Sequence, residues 1–330
     1  MTKTQNNMMK PPYKVVFMGC PDFAVPSLCT LATDPDFEVV AVYCMPDRPK
    51  GRGKTLTPTP IKEFALQHGF EVRTPVSFRK QPEEIEVLKS FKPDYLVVVA
   101  YGLILPQEVL NIPKIAPVNL HASILPAYRG PSPIHYSLIN GDSETGNTVM
   151  LMSKGMDEGE ILSVSKTPIG DCDDLGSLHD RLSVHGAELL VKTLKSYAQG
   201  EITPLVQDHL KATYTGKIAT DTAHIDWKKS ATEVRNLIFA MSPCPGAWFI
   251  DGRERIKVFR ARVEDEFSSE PAGTILVQDQ NLGIKIVCGD SRVLSLLELQ
   301  RAGKNRICCA DFVCGCRLSL NNLCDDETEE

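Results

Sequence analysis

The sequence predicts an α/β fold: a Rossmann-like, doubly wound, mostly parallel sheet followed by a smaller β-barrel domain. Three observations point there. Apolar strand-sized runs alternate with amphipathic helical stretches through the first two hundred residues, which favours a parallel sheet covered by helices on both faces. A polar stretch with few apolar residues in sequence follows, and the chain then changes to short strands of period two. At 330 residues it is long enough for two domains, and 42% hydrophobic with 24% charged residues is an ordinary globular composition.

In order, Lys14 to Gly19 reads as a buried strand, and the Pro21-Asp22 turn leads into a helix from Phe23 to about Thr33. A strand at Glu38 to Cys44, a long loop and a helix at Ile61 to Gly69 come next. Glu83 to Ser90 is helical, Tyr95 to Ala100 is the most apolar strand, and Ala116 to His121 is a further strand. Ser132 to Ile139 is helical and Thr148 to Met152 alternates as a strand does. From Asp174 to Gly200, Leu178, Leu182, Leu189, Val191 and Leu194 recur at helical spacing, with Gly200 as the stop. Residues 201–217 read as a linker. Beyond Ile225-Asp226-Trp227 and a helix at Ala231 to Met241, five short strands are expected: Ala247 to Ile250, Ile256 to Ala261, Gly273 to Val277, Gly283 to Val287 and Val293 to Leu299. Residues 1–12 are expected to be a disordered extension, 13–200 a catalytic domain and 218–330 a C-terminal domain whose acidic end, Asp325 to Glu330, frays.

Composition narrows the function. A net charge of −6 disfavours a protein that coats nucleic acid generally, so RNA contacts must come from local basic patches. Eleven cysteines without a secretory leader fit a reducing compartment, and no apolar run reaches the length of a membrane span, so a cytoplasmic protein is expected, taken as a monomer. Cys308, Cys309, Cys314, Cys316 and Cys324 lack paired C-x-x-C arms, and small core residues explain them better than a metal. The first turn, Gly19-Cys20-Pro21, lacks the G-x-G-x-x-G spacing that admits a pyrophosphate, which argues against a dinucleotide enzyme.

The chemistry-bearing stretch is Val118 to Gly130, read together with Gly155-Met156-Asp157-Glu158-Gly159. The run Ile115 to Val118 enters it as a strand, and Pro126 and Gly130 break it into a loop. Strand alternation points Asn119 and His121 to one side, while glycines around Asp157 let a turn bring its carboxylate toward an imidazole. An Asn amide and a protonated His donate hydrogen bonds to an oxyanion, and an Asp beside the His holds its charge or relays a proton. A satisfied structural histidine is the competing reading of His121. Two further stretches have a plain and a functional reading. Asp47 to Lys54 carries four cations and two glycines, as a solvated loop or an RNA-contacting arm would. Tyr101 to Pro106 is a buried connection or a pocket wall.

Asn-Leu-His-Ala-Ser-Ile-Leu-Pro-Ala-Tyr-Arg-Gly, with Met-Asp-Glu-Gly downstream, resembles the signature of the folate-dependent formyltransferases. Gly19 to Ala24, Pro46 to Lys54, Ala100 to Pro106 and Ile225-Asp226-Trp227 are similar to the branch of that superfamily that acts on methionyl initiator tRNA. The likeness runs from about Tyr13 to Leu318. It implies 10-formyltetrahydrofolate as co-substrate, no metal, and Asn119, His121 and Asp157 as the catalytic trio. It also implies that Leu103, Ile104 and Leu105 line a pterin pocket, with Ser123, Ile124, Leu125 and Pro126 beside the reactive end. The basic loop would then enter the acceptor stem through Arg48, Lys50, Arg52 and Lys54. The second domain would be an OB-like barrel holding tRNA with Arg253, Arg255 and Lys257, helped by Arg260, Arg262 and by Arg301, Lys304 and Arg306. Two departures are Ala127, where a basic or bulky residue is usual, and the cysteine-rich end. The rival expectations are a formyltransferase for a small amine and a tRNA-binding protein without catalysis.

Overall fold

The computed structural model describes residues 10–50 and 55–318. Most of the expected N-terminal extension, Arg52 and Lys54 of the basic loop, Cys324 and the acidic end lie outside the described residues. The chain forms two compact units. The first runs through Gly130 and adds Thr145–Pro168 and His179–Tyr214; the second comprises Pro131–Glu144, Ile169–Leu178 and the chain from Thr215 onward.

The first unit is built on β1 (Tyr13–Gly19), α1 (Val25–Thr33), β2 (Phe37–Tyr43), the short ribbon β3 (Arg48–Lys50) and β4 (Thr55–Thr57), and α2 (Pro60–Gln67). There follow β5 (Val72–Arg73), α3 (Glu83–Ser90), β6 (Tyr95–Val99), α4 (Gln107–Leu110) and β7 (Ala116–His121). After α5 (Pro133–Ile139), which belongs to the second unit, come β8 (Glu144–Leu151), β9 (Ile161–Pro168) and the long helix α6 (Leu175–Ala198). The seven-stranded sheet has the order β5-β2-β1-β6-β7-β8-β9. Pairing is parallel from β5 to β7, and β8 runs antiparallel to β7. The chain builds outward from β1 to β2, then crosses to β6 on the other side, so the carboxyl ends of β1 and β6 flank the switch point where α/β sheets bind ligands.

Five buried residues in a row on β6 explain its unbroken apolar run: a parallel central strand is covered on both faces. On one face Val16, Met18, Tyr43, Phe78, Leu88, Leu96 and Val98 form a core cluster with Tyr101, Leu105 and Leu110. Truncating a fully buried leucine such as Leu88 to alanine costs about 2–5 kcal/mol. On α6 the fully buried stripe is Leu178, Leu182, Leu190 and Leu194, with Leu190 in the place expected for the half-buried Leu189. The Tyr95 hydroxyl donates to the Leu194 carbonyl at 2.8 Å, fastening this helix to the sheet.

The basic loop differs from the irregular span expected. Its stems pair as a two-stranded ribbon, Arg48 opposite Thr57 and Lys50 opposite Thr55, and Lys62 Nζ holds Asp47 Oδ1 at 2.6 Å at the base. Three-residue strands are too short for any periodicity, and Pro49 is tolerated on a ribbon edge.

In the second unit, α7 (Ala231–Ala240) precedes β10 (Ala247–Asp251), β11 (Glu254–Phe267), β12 (Ile275–Asp279), β13 (Gly283–Val287), β14 (Arg292–Arg301), β15 (Ile307–Cys308) and α8 (Cys309–Gly315). The sheet is antiparallel, ordered β10-β11-β14-β13-β12 with β15 beside β14, and contains all five expected strands. Trp227 explains why Ile225-Asp226-Trp227 stands out: its ring is fully buried edge-on against Phe249, and the Ile225 amide donates to the Trp248 carbonyl at 2.7 Å.

Candidate active site

Asn119 and His121 lie two apart on β7, paired with Val98 of β6 on one side and with Met150 and Thr148 of β8 on the other. They are 9% and 7% exposed. His121 Nε2 lies 2.9 Å from the Tyr128 carbonyl; a carbonyl only accepts, so Nε2 carries a proton. The other nitrogen, Nδ1, faces Asp157 Oδ2 at 3.7 Å. The free lone pair of a neutral His121 therefore sits on the side of the carboxylate. Among the described residues the Asn119 amide has no hydrogen-bond partner.

Asp157 has a φ of 53°, in the left-handed region that only short polar residues enter readily. Its Oδ2 accepts from the Gly130 amide at 2.8 Å, which ties the Asp157 turn to the loop after β7. Gly159 closes the turn against β8: a Cβ there would stand 1.7 Å from the Leu151 carbonyl oxygen, so no larger residue fits. The loop from His121 to Gly130 is equally constrained. Ser123 Oγ donates to the Ala127 carbonyl at 2.6 Å, Thr148 Oγ1 donates to the Ser123 carbonyl at 2.7 Å, and Thr148 Oγ1 accepts from the Leu125 amide at 3.1 Å. Tyr128, at φ 60°, donates its amide to Thr213 Oγ1 at 2.8 Å, while the Arg129 amide donates to the Thr213 carbonyl at 2.9 Å.

Residues 201–214, within the stretch read as a linker, thus pack along the first unit. Leu205 exchanges two backbone hydrogen bonds with Ile161, and Gln207 is buried. Arg129 is wholly buried, and its Nε and Nη2 donate to Gln207 Oε1 at 3.1 and 2.8 Å. Its Nη1 reaches the Tyr214 hydroxyl at 3.1 Å and His209 Nδ1 at 3.3 Å, with Glu158 Oε1 at 3.8 Å. Sequence reasoning gave Arg129 and Gln207 no part, because a buried guanidinium and a buried amide look like surface residues until their partners are known.

The expected folate residues surround the same end of the sheet. The loop after β6 is tied to the first turn by Cys20, whose Sγ donates to the Tyr101 carbonyl at 2.9 Å and accepts from the Met45 amide at 3.3 Å. Burial, the largest influence, pushes the Cys20 thiol up, which keeps it a donor, and pushes the neighbouring Cys44 up to about 11. In this loop Leu105 is buried in the core, Leu103 packs partly against it, and Ile104 is 86% exposed. Ser123 and Leu125 are buried, with Ile124 and Pro126 half-buried.

Of the expected tRNA contacts, Arg48 is exposed on β3 and Lys50 ends that strand. On β11 and its turn, Arg253 is exposed, Arg255 stacks its guanidinium 3.9 Å over the Trp248 ring, and Lys257 Nζ donates to the Pro245 carbonyl at 2.7 Å. Other expected cations are neutralised: Arg262 pairs with Glu264, Arg301 with Glu254 and Arg306 with Glu298. Arg260 and Lys304 are exposed.

Residues 13–194 match the family described as Formyl transferase, and residues 217–317 match Formyl transferase, C-terminal domain. The methionyl-tRNA formyltransferase of Clostridium novyi (strain NT) is 44% identical over 94% of this chain and 99% of its own. That of Bacillus subtilis (strain 168) is 42% identical over 94% of this chain and 97% of its own. Among solved structures, the N-formyltransferase from Helicobacter canadensis in complex with folinic acid and dTDP-3-aminofucose has a TM-score of 0.66 at 21% identity, covering 88% of this chain and 99% of that chain. HypX from Aquifex aeolicus in complex with tetrahydrofolic acid has a TM-score of 0.59 at 15% identity, covering 92% of this chain and 47% of that chain. At such identities the two structures share the fold with this chain.

Proposed function

Because the chain belongs to the methionyl-tRNA formyltransferase family, we propose that Asn119, His121 and Asp157 transfer the formyl group of 10-formyltetrahydrofolate to the amino group of methionine on initiator tRNA. The observation that carries this reading is the buried pair on β7: an Asn amide without a hydrogen-bond partner among the described residues, beside an imidazole whose Nδ1 faces a carboxylate at 3.7 Å.

The methionyl amine attacks the formyl carbon, a new C–N bond forms, and the carbonyl oxygen becomes an oxyanion. Asn119 donates to that oxygen, and a protonated His121 offers the second N–H from Nδ1, which at 3.7 Å from Asp157 Oδ2 is not hydrogen-bonded to it, while Nε2–H stays with the Tyr128 carbonyl. Such donors stabilise charge that exists only once attack has begun, so they lower the barrier more than they tighten substrate binding. Asp157 balances the imidazolium and, through water, helps carry the amine's proton to the departing folate nitrogen as the old C–N bond breaks. Leu103, Ile104, Leu105 and Ser123 to Pro126 supply the folate site at the carboxyl edge of the sheet. Arg48, Lys50, Arg52 and Lys54, with Arg253, Arg255 and Lys257, engage the tRNA backbone. Among the described residues no cysteine forms a disulfide, and no helix is long and apolar enough to cross a membrane. Both fit an enzyme that works in the cytoplasm during translation initiation, and we take it to act as a monomer.

The test is incubation with 10-formyltetrahydrofolate and either methionyl initiator tRNA or free small amines. Formylated methionyl-tRNA is the expected product. Formylation of small amines alone would favour a small-acceptor formyltransferase, and tRNA binding without product would favour the non-catalytic reading.

A further inference from the structure

Gln207 stands in a polar stretch that the sequence marks only as a connector, yet it is 4% exposed and both atoms of its amide are used twice. Oε1 accepts from Arg129 Nε and Nη2 at 3.1 and 2.8 Å. Nε2 donates to the Asp157 and Gly159 carbonyls at 2.9 and 2.7 Å. These partners fix the orientation of the amide, since two guanidinium donors demand the oxygen and two carbonyls demand the nitrogen. The two carbonyls belong to the turn that carries the carboxylate. Gly159 in that turn has no room for a Cβ beside the Leu151 carbonyl, and Asp157 itself sits at a left-handed φ of 53°. A residue in that conformation persists only where its surroundings over-determine it.

We propose that Gln207 is a positioning residue for formyl transfer: by clasping the Asp157 and Gly159 carbonyls to the buried Arg129, it holds the Asp157 carboxylate beside His121. The chain of contacts is continuous. Arg129 immediately precedes Gly130, whose amide donates to Asp157 Oδ2 at 2.8 Å, so one amide side chain fastens the Asp157 turn to the loop that its carboxylate grips. Losing the clasp frees two carbonyls and lets the carboxylate drift, and a displacement of about 1 Å at a reacting group can cost on the order of a hundredfold in rate. The inference rests on the role given to Asp157.

Two variants separate the clasp from mere packing. Gln207→Met keeps the length and removes the four hydrogen bonds to Arg129, Asp157 and Gly159. Gln207→Glu keeps an acceptor for Arg129, now as a carboxylate paired with the buried guanidinium, and removes the amide donors to the turn, so it carries the test if the methionine variant fails to fold. On folded protein, each should lower single-turnover formylation roughly 10- to 100-fold while KM for the formyl donor and for tRNA changes little. Amide exchange at Gly130 should speed up in both. In a double-mutant cycle, adding Asp157→Asn to Gln207→Glu should cost far less than adding it to the wild type, because the carboxylate is already out of place. Wild-type turnover of folded Gln207→Glu, or penalties that multiply in full, would overturn the inference while leaving the trio standing. Wild-type turnover of Asp157→Asn would remove the trio reading and this inference with it.

Discussion

The side chains of the buried pair on β7 differ in how their hydrogen bonds are used. His121 has a protein neighbour at each nitrogen, the Tyr128 carbonyl and the Asp157 carboxylate, whereas the Asn119 amide has none among the described residues. Asn119→Ala and His121→Ala should each lower single-turnover formylation by about a hundredfold or more, with folate affinity little changed, since their donors matter most after charge develops. Rapid-quench assays alongside equilibrium folate binding check this; near-normal rates on folded variants would remove both residues from the mechanism. Asp157→Asn should lose rate comparably yet fold normally, because asparagine accepts the left-handed φ that Asp157 has; thermal melts with single-turnover assays measure the two effects apart. Asn119 and His121 were legible together because a spacing of two is the period of a strand. Asp157 was legible as a turn residue through its glycines, but the Gly130 amide that aims its carboxylate belongs to a distant stretch. Gln207 gave no signal, for a glutamine beside an aspartate in a polar run has the local chemistry of a solvated chain.

At the level of elements, local rules held where the signal was local. Helix α7 carries a capping box: Ser230 accepts from the Glu233 amide, and Glu233 reaches back to the Ser230 amide and hydroxyl at 3.0 and 2.7 Å. The hydrogen bonds from Ser230 hold the Glu233 carboxyl below its ordinary value. A carboxyl depressed in the folded state contributes stability that is present above its unfolded value and lost as pH falls through its folded one. Ser230→Ala should therefore cost about 1 kcal/mol near neutrality, and the gap from wild type should narrow in acid, below about pH 4. Urea melts of both proteins across that range measure it; a constant gap would mean that the Glu233 half of the box adds nothing. Strands β6, β7 and β13 were legible nearly to the residue from their apolar runs and alternation. Strand β9 was not, since Ser163, Ser165, Lys166 and Thr167 dilute its pattern and only Leu162 and Thr167 are buried.

For the whole molecule, a net charge of −6 means that a polyanion must be held by a few cations not already neutralised within the protein. The second unit sorts its cations in this way. Arg262, Lys285, Arg292, Arg301 and Arg306 each pair with an acid, whereas among the described residues Arg253 and Arg255 have no acidic partner within ion-pair distance, and Arg255 is braced on Trp248. A cation that contacts a phosphate releases about one counterion on binding, while one already paired to a carboxylate has little to release. Arg253→Ala and Arg255→Ala should each reduce the salt slope of tRNA binding by about one, and Arg262→Ala should leave it near the wild-type value. In the first unit the same logic applies to Arg52, which lies outside the described residues but belongs to the loop whose ribbon stem includes Arg48. That unit also holds Asn119 and His121. Arg52→Ala should therefore slow formylation itself as well as flatten the slope, because misplacing the aminoacyl end costs rate steeply. Single-turnover formylation over a salt series, with folate binding followed separately, decides between the readings. Equal slopes and equal rates for Arg52→Ala and wild type would return the loop to ordinary solvated chain, and an Arg262→Ala slope as reduced as that of Arg253→Ala would mean that internal pairing does not select the cations that meet tRNA.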